Sequence, residues 1–367
     1  MYDTTFLENT FELKQKIINR DYSSIDSDNI LQVLNAELSL TPFVFNIETT
    51  NICNMSCVMC QRTTDFRQKL RHMDDKTYDA ILAQIEPQNE TVHKRWQVFV
   101  NQHLRGLDSV PSEDNFYYDA VSQSITLHGF GEPLLDPRLP ARISALTRSN
   151  IPSYFSCNPC NIKLDFIKQL FEAGTGYIKF AIDSLDDDEA KQIRGERADF
   201  KRSYQAVLDV LELKKQMRAD TVIVVTMLDF LNDSTKATQF LDLWKGKDVY
   251  AFAKSVDNKW LLEHKDETDK TKGENKSHYK RQYCEYAWTS ITILADGSVV
   301  PCTQDINGTW VFGNVNNQPL RDIWNSKKYQ EFRALQLSTD FPEEFMCHSK
   351  CDLDIVSYFF NDYEDRP

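Results

Sequence analysis

Residues 43–60 read FVFNIETTNICNMSCVMC. Phe43 to Ile47 form a short, mostly apolar run that predicts a strand. The loop after it carries Cys53, Cys57 and Cys60 in a C-x3-C-x2-C spacing. Three thiolates this close in sequence can converge on one face of an iron–sulfur cube, leaving one iron of a four-iron cluster without a protein ligand. A chelating cofactor could bind that iron. Zinc is the rival, although structural zinc normally takes four ligands from paired C-x2-C elements.

Downstream, strand-like and helix-like segments alternate. Ser124–Leu127, Ser153–Ser156, Tyr177–Ile182, Thr221–Met227 and Val249–Ala253 read as strands. Helices are predicted near Pro140–Thr147, over Lys163–Ala173 with Gly174 closing it, and over Tyr204–Leu213. The alternation argues for a parallel β/α architecture. Residues 88–120 are polar and aromatic and read as an insertion before the second strand. Residues 1–41 predict a helical appendage of two short helices. A barrel-like part should span 42–263. The almost wholly polar stretch 264–282 should be a linker to a cysteine-rich part over 283–352, with a tail at 353–367.

Among 367 residues, Lys and Arg number 42 and Asp and Glu 55, a net charge of −13. That balance makes nucleic acid an unlikely partner and favours a small molecule or another protein. The N-terminus lacks the basic-then-apolar pattern of a secretory signal, and no run approaches about 18 apolar residues, so neither export nor a membrane span is expected. A cytoplasmic location follows as an expectation. There the nine cysteines should serve metal or redox chemistry rather than disulfides.

The form CNMSCVMC, in a loop after a first strand, resembles the hallmark of the radical S-adenosylmethionine (SAM) superfamily. The resemblance implies that Cys53, Cys57 and Cys60 hold a 4Fe-4S cluster whose open iron binds SAM. HGFGEP, after the second strand, resembles the GGEP-like motif. By that likeness Gly131 and Glu132 hold the SAM amino group, although Phe130 replaces the first Gly and Gly129 lies one step earlier. FSCNPC places Ser156 and Asn158 beside SAM, FAIDS places Asp183 and Ser184 near the ribose, and QIRG offers Arg194 to the SAM carboxylate. Turn formation is the plainer reading of Asn158 and Asp183, and a surface ion pair that of Arg194. Cys157 and Cys160 are candidate hydrogen donors to a substrate radical, or simply small buried side chains.

CEYAWTSITILADGSVVPC, from Cys284 to Cys302, predicts a β-hairpin turning at Asp296-Gly297. With the later Cys347 and Cys351 it resembles the SPASM/twitch extension of radical SAM enzymes. Four cysteines match the shorter twitch form, with one auxiliary 4Fe-4S cluster. Zinc remains a rival here too. The resemblance implies an α/β fold, a partial (β/α)6 barrel with a small C-terminal α/β twitch subdomain. The implied activity is hydrogen abstraction by a 5′-deoxyadenosyl radical from a small, sugar- or aminocyclitol-like metabolite. The outcome would be oxidation, epimerisation or elimination, with a reducing donor such as flavodoxin or ferredoxin. A peptide-modifying enzyme and a zinc-bound structural or interaction protein are the alternatives.

Overall fold

A computed structural model describes residues 3–18, 27–103, 123–230, 234–255, 284–338, 340–342, 345 and 347. The expected linker 264–282, Cys351 and the tail 353–367 lie outside the described residues. Two helices, α1 (Thr4–Ile18) and α2 (Ser27–Ala36), precede strand β1 (Phe43–Ile47). After the cysteine loop come α3 (Gln61–Asp65), α4 (Asp75–Leu82) and α5 (Glu90–His103). Helix α5 falls in the segment read as an insertion. Its Trp96, Phe99 and Val100 are buried, an apolar stripe hidden among polar residues.

The β/α series then runs β2 (Ile125–Thr126), α6 (Leu139–Arg148), β3 (Ser153–Cys157), α7 (Leu164–Glu172), β4 (Tyr177–Ala181) and α8 (Asp187–Arg194). It continues through α9 (Phe200–Met217), β5 (Val222–Asp229), α10 (Ser234–Trp244) and β6 (Tyr250–Ser255). Strands β1 to β6 pair in chain order and all in parallel. The VIVVTMLD run of β5 is buried at six of its eight positions, as expected of a parallel strand covered on both faces. This is the partial β/α barrel, and its strands' C-terminal ends share one rim.

The C-terminal part comprises α11 (Tyr286–Thr289), β7 (Ser290–Ile293), β8 (Ser298–Val300), β9 (Gly313–Asn314), α12 (Leu320–Trp324) and α13 (Lys327–Ser338). Gly297, with φ of 85°, forms the expected hairpin turn between β7 and β8. The hairpin does not form a separate sheet. Strand β7 pairs in parallel with β1, and β8 and β9 follow antiparallel, giving one nine-stranded sheet. All four residues of β7 are buried, so its side chains need cover that the barrel edge supplies.

The N-terminal helix is part of this core. Phe6 stacks on Trp288 with ring centroids 6.3 Å apart. Lys14 pairs with Glu285 across a fully buried gap of 3.3 Å.

Candidate active site

The cysteine loop is fastened on three sides. Beneath it, Asn51 binds the strap at 69–71: its Nδ2 donates to the Lys69 carbonyl at 3.1 Å, and its Oδ1 accepts from the Arg71 N–H at 2.7 Å. On one flank, the Glu132 N–H donates to the Ile52 carbonyl at 2.8 Å. On the other, the Ser56 and Val58 N–H groups donate to the Arg194 and Ile193 carbonyls at 3.2 and 2.9 Å. These carbonyls end α8, where the last turn has no helical donors of its own. The helix start is equally well specified, because Asp186 caps it by accepting from the Glu189 N–H at 2.8 Å.

Two glycines permit this closeness. A Cβ on Gly131 would lie 2.1 Å from the Thr50 carbonyl oxygen, and one on Gly195 2.0 Å from Ser56 Oγ. Gly195 also has φ of 90°, a conformation that L side chains rarely adopt.

Cys53, Cys57 and Cys60 are half-buried. Burial pushes the Cys57 thiol up to about 11, against the pull of Arg194, while Cys60 and Cys53 push it further up. Cys53 and Cys60 are likewise raised, first by burial. Among the described residues, no group of three or more His, Cys, Asp or Glu side chains is drawn together closely enough to hold a metal ion. The donor chemistry nevertheless fits an iron–sulfur cluster. Three thiols on one loop feel one another's charge, the repulsion a metal offsets on binding. Arg194 Nη1 stands 3.8 Å from the Cys57 sulfur. The buried Oδ1 of Asn54 has no hydrogen-bond partner among the described residues, leaving an acceptor beside the thiols.

Glu132 is 7% exposed and accepts two backbone bonds, from Asn158 N–H at 2.9 Å and Leu134 N–H at 3.1 Å. Burial pushes its carboxyl up to about 7 against those bonds. Each carboxylate oxygen can accept twice, so each retains room for a ligand ammonium. Asn158 Oδ1 accepts from the Cys160 N–H at 2.9 Å, the local turn named as its plainer reading. Glu132 and Asn158 line a cavity of about 360 Å³ with Asn54, Met55, Lys163 and Phe166. Its apolar walls and few polar groups suit a small organic ligand.

Asp183 pairs with the Arg194 guanidinium, and its Oδ1 accepts from the Leu228 N–H at 2.8 Å. Asp183 has φ of 60°, in the left-handed region. Arg194 is therefore mostly buried in an ion pair rather than lying at the surface, with a second contact to Cys57. Ser184 is buried, and its hydroxyl donates to Ile182 at 3.4 Å. The Ser156 N–H donates to His128 Nδ1 at 3.1 Å. Cys157 lies in the hydrophobic core. The Cys160 thiol, also buried, donates to the Arg197 carbonyl at 3.2 Å.

Glu48 and His128 were not singled out in the sequence. Glu48 Oε1 accepts from the Phe130 N–H at 3.1 Å, and Oε2 from the Ala295 N–H at 3.2 Å. It thus ties the HGFGEP loop to the C-terminal hairpin. Gly129 is the partner requirement, since a Cβ there would lie 2.5 Å from Glu48 Oε1. A glutamate just after a strand, opposite an extra glycine, was the available signal. Burial pulls the His128 imidazole down to about 3, keeping it neutral.

In the C-terminal part, Cys284 and Cys347 are half-buried and Cys302 is buried. Burial pushes Cys284 up to about 12. Cys351, expected as the fourth ligand, lies outside the described residues.

A model of the radical SAM superfamily matches residues 118–241, and a model of an iron–sulfur cluster-binding domain, SPASM, matches residues 284–352. The chain belongs to the radical SAM superfamily. This radical SAM protein therefore takes SAM and a 4Fe-4S cluster as cofactors, with further iron–sulfur binding in its SPASM domain. It is similar, at 40% identity over 45 residues, to an S-adenosyl-L-methionine-dependent 2-deoxy-scyllo-inosamine dehydrogenase from Niallia circulans. That match spans 12% of this chain and 17% of the relative's length. Among solved structures, SuiB of Streptococcus suis bound to SAM covers 90% of this chain and 79% of its own, at 13% identity and a TM-score of 0.52. The anSMEcpe structure with AdoMet and Cp18Cys peptide covers 81% of this chain and 84% of its own, at 15% identity and a TM-score of 0.51. These two likenesses show the fold. Among the described residues, no helix is long and apolar enough to cross a membrane.

Proposed function

We propose that the protein is a radical SAM oxidoreductase acting on a small hydroxylated metabolite of the aminocyclitol kind. The carrying observation is the three-sided attachment of the cysteine loop, through Ile52 to Glu132 and through Ser56 and Val58 to the end of α8. It brings the cysteines, the GEP turn and the Asp183–Arg194 pair to one rim.

Cys53, Cys57 and Cys60 would hold the 4Fe-4S cluster. When bound and reduced, that cluster with SAM supplies a 5′-deoxyadenosyl radical able to abstract hydrogen from an unactivated carbon. Glu132 would accept from the SAM ammonium with the lone pairs its two backbone bonds leave free. The close approach allowed by Gly131 would set that carboxylate beside the loop. Ser156 and Asn158 would flank SAM, and Asp183 and Ser184 would lie towards the ribose. Arg194 is held by Asp183 and would place its remaining charge between the cluster and the SAM carboxylate. Buried Cys157 and Cys160 serve packing better than hydrogen donation. Cys284, Cys302, Cys347 and Cys351 would hold one auxiliary 4Fe-4S cluster.

An alcohol oxidised to a ketone loses a hydrogen atom, a proton and an electron. The auxiliary site is a fitting destination for that electron, and a flavodoxin or ferredoxin a fitting source for the first. The aminocyclitol class is supported by the local likeness to the inosamine dehydrogenase.

The test is anaerobic incubation of the iron-loaded protein with SAM, reduced flavodoxin and 2-deoxy-scyllo-inosamine. We expect 5′-deoxyadenosine together with a product lighter by two hydrogens. Unchanged substrate, with mass loss instead in a precursor peptide supplied in parallel, would overturn the substrate class. Failure to form 5′-deoxyadenosine with either would overturn the reaction.

A further inference from the structure

Helix α13 turns one face towards the C-terminal cysteines. Tyr329, Arg333 and Gln336 recur at helical spacing and are all buried. Three observations on this face point to an anionic group beside it. Gln336 Nε2 stands 3.9 Å from the Cys347 sulfur, an amide donor facing a thiol. The Tyr329 hydroxyl is buried and has no hydrogen-bond partner among the described residues. Arg333 is a buried cation whose Nε and Nη1 donate to the Ala287 and Trp324 carbonyls at 3.1 and 3.2 Å, while its Nη2 has no partner.

A buried donor without an acceptor is costly, so native structures seldom keep one without a reason. The Tyr329 ring cannot turn away freely, because Phe312 and Trp324 hold it at centroid distances of 4.0 and 4.6 Å. The Arg333 guanidinium stacks over it at 4.5 Å. Burial first, then the neighbouring Cys302 and Cys284, push the phenol well above its ordinary value, with Arg333 pulling the other way. A phenol is a hydrogen-bond donor at neutral pH, so this buried hydroxyl has a proton to offer that none of the described residues accepts.

We propose that Tyr329 and Gln336 are positioning residues that donate hydrogen bonds to the sulfur shell of the auxiliary cluster and raise its reduction potential. This rests on the reading of the C-terminal cysteines, among them Cys284, Cys302 and Cys347, as cluster ligands. Donors to cluster sulfurs stabilise the more negative, reduced state, so their number tunes the potential. Arg333 supplies a compensating positive charge and steadies the Tyr329 ring.

The test uses the full chain with Cys53→Ala, Cys57→Ala and Cys60→Ala, so that only auxiliary iron remains, and a redox titration followed by electron paramagnetic resonance. Tyr329→Phe removes one oxygen and keeps the ring. We expect it to retain iron while its one-electron equilibrium shifts about tenfold towards the oxidised cluster, about 59 mV. Gln336→Leu should shift it in the same direction, and it carries the same measurement if Tyr329→Phe does not fold. Retained iron with unchanged midpoints would overturn the proposal. Absence of iron from the parent triple variant would instead overturn the ligand assignment itself.

Discussion

Lys14 on α1 and Glu285, the residue after Cys284, form an ion pair at 3.3 Å with both side chains fully buried, 271 positions apart in sequence. The N-terminal helix thereby anchors the segment that leads into the C-terminal cysteine set. Burial pulls the Lys14 ammonium below its ordinary value, and Glu285 opposes that pull. Removing one partner leaves a charge in the core. We expect Lys14→Met to cost about 3–5 kcal/mol. The double variant Lys14→Met with Glu285→Leu should recover a large part of it. Urea unfolding of the three proteins checks this, and a double variant as unstable as the single one would contradict it.

Gly131→Ala tests the close approach. Its Cβ would sit 2.1 Å from the Thr50 carbonyl oxygen and 2.9 Å from Asn51 Cα, both backbone atoms that cannot rotate aside. The cysteine loop must shift. We expect loss of radical-cluster iron and at least about a tenfold weaker grip on SAM, a difference of about 1.4 kcal/mol. Iron on the C-terminal cysteines should persist. Wild-type iron and SAM affinity in this variant would show that the approach does not matter.

Glu132 and Arg194 should separate under mutation. Glu132→Gln keeps the shape and one acceptor but removes the charge offered to an ammonium. SAM affinity should fall about tenfold or more, since charge-assisted bonds are roughly twice as strong as neutral ones. Iron should be unchanged. Arg194→Ala instead leaves Asp183 buried without its cation, and we expect a stability loss of about 3–5 kcal/mol. Equilibrium dialysis, iron analysis and thermal unfolding distinguish the two outcomes. A stable Arg194→Ala protein would show that the Asp183 pair is dispensable.

Glu48 confers a pH dependence with a definite sign. Burial first pushes its carboxyl up to about 7 from an ordinary 4.5, with the Phe130 and Ala295 N–H groups and Arg62 pulling down and Asp296 pushing up. Between those two values the folded chain holds a proton that the unfolded chain has released. Stability therefore falls as pH rises through this window and levels off above it. Glu48 and Glu132, which is pushed to the same value, would each contribute up to about 3 kcal/mol. Glu48→Gln should remove about half of the decline between pH 5 and 8. At the acid end of that range it should lower stability by about 1 kcal/mol, because its single amide oxygen cannot serve both N–H groups. Equal pH slopes for Glu48→Gln and the parent protein would count against this role.

Much of the fold was legible along the chain, and so was the cysteine spacing on which the proposed site rests. Strand-forming runs such as VIVVTMLD, the Asp296-Gly297 turn and the C-x3-C-x2-C loop are local signals, set by residue type and short spacing. Tertiary structure decided what depends on distant partners. It joined β7 to β1, so that the C-terminal hairpin continues the barrel sheet. It also gathered Trp96, Phe99 and Val100 into a buried helix face within a polar and aromatic segment that read as an insertion. Glu48 and Tyr329 carry no motif. Each matters through what long-range packing does to it: Glu48 ties two loops whose contact residues lie 82 and 247 positions away, and Tyr329 is left with a buried hydroxyl near cysteines. Spacing along a chain specifies which side chains share a loop or a helix face. Burial and pairing between remote segments are properties of the folded whole, because desolvation depends on everything packed around a group.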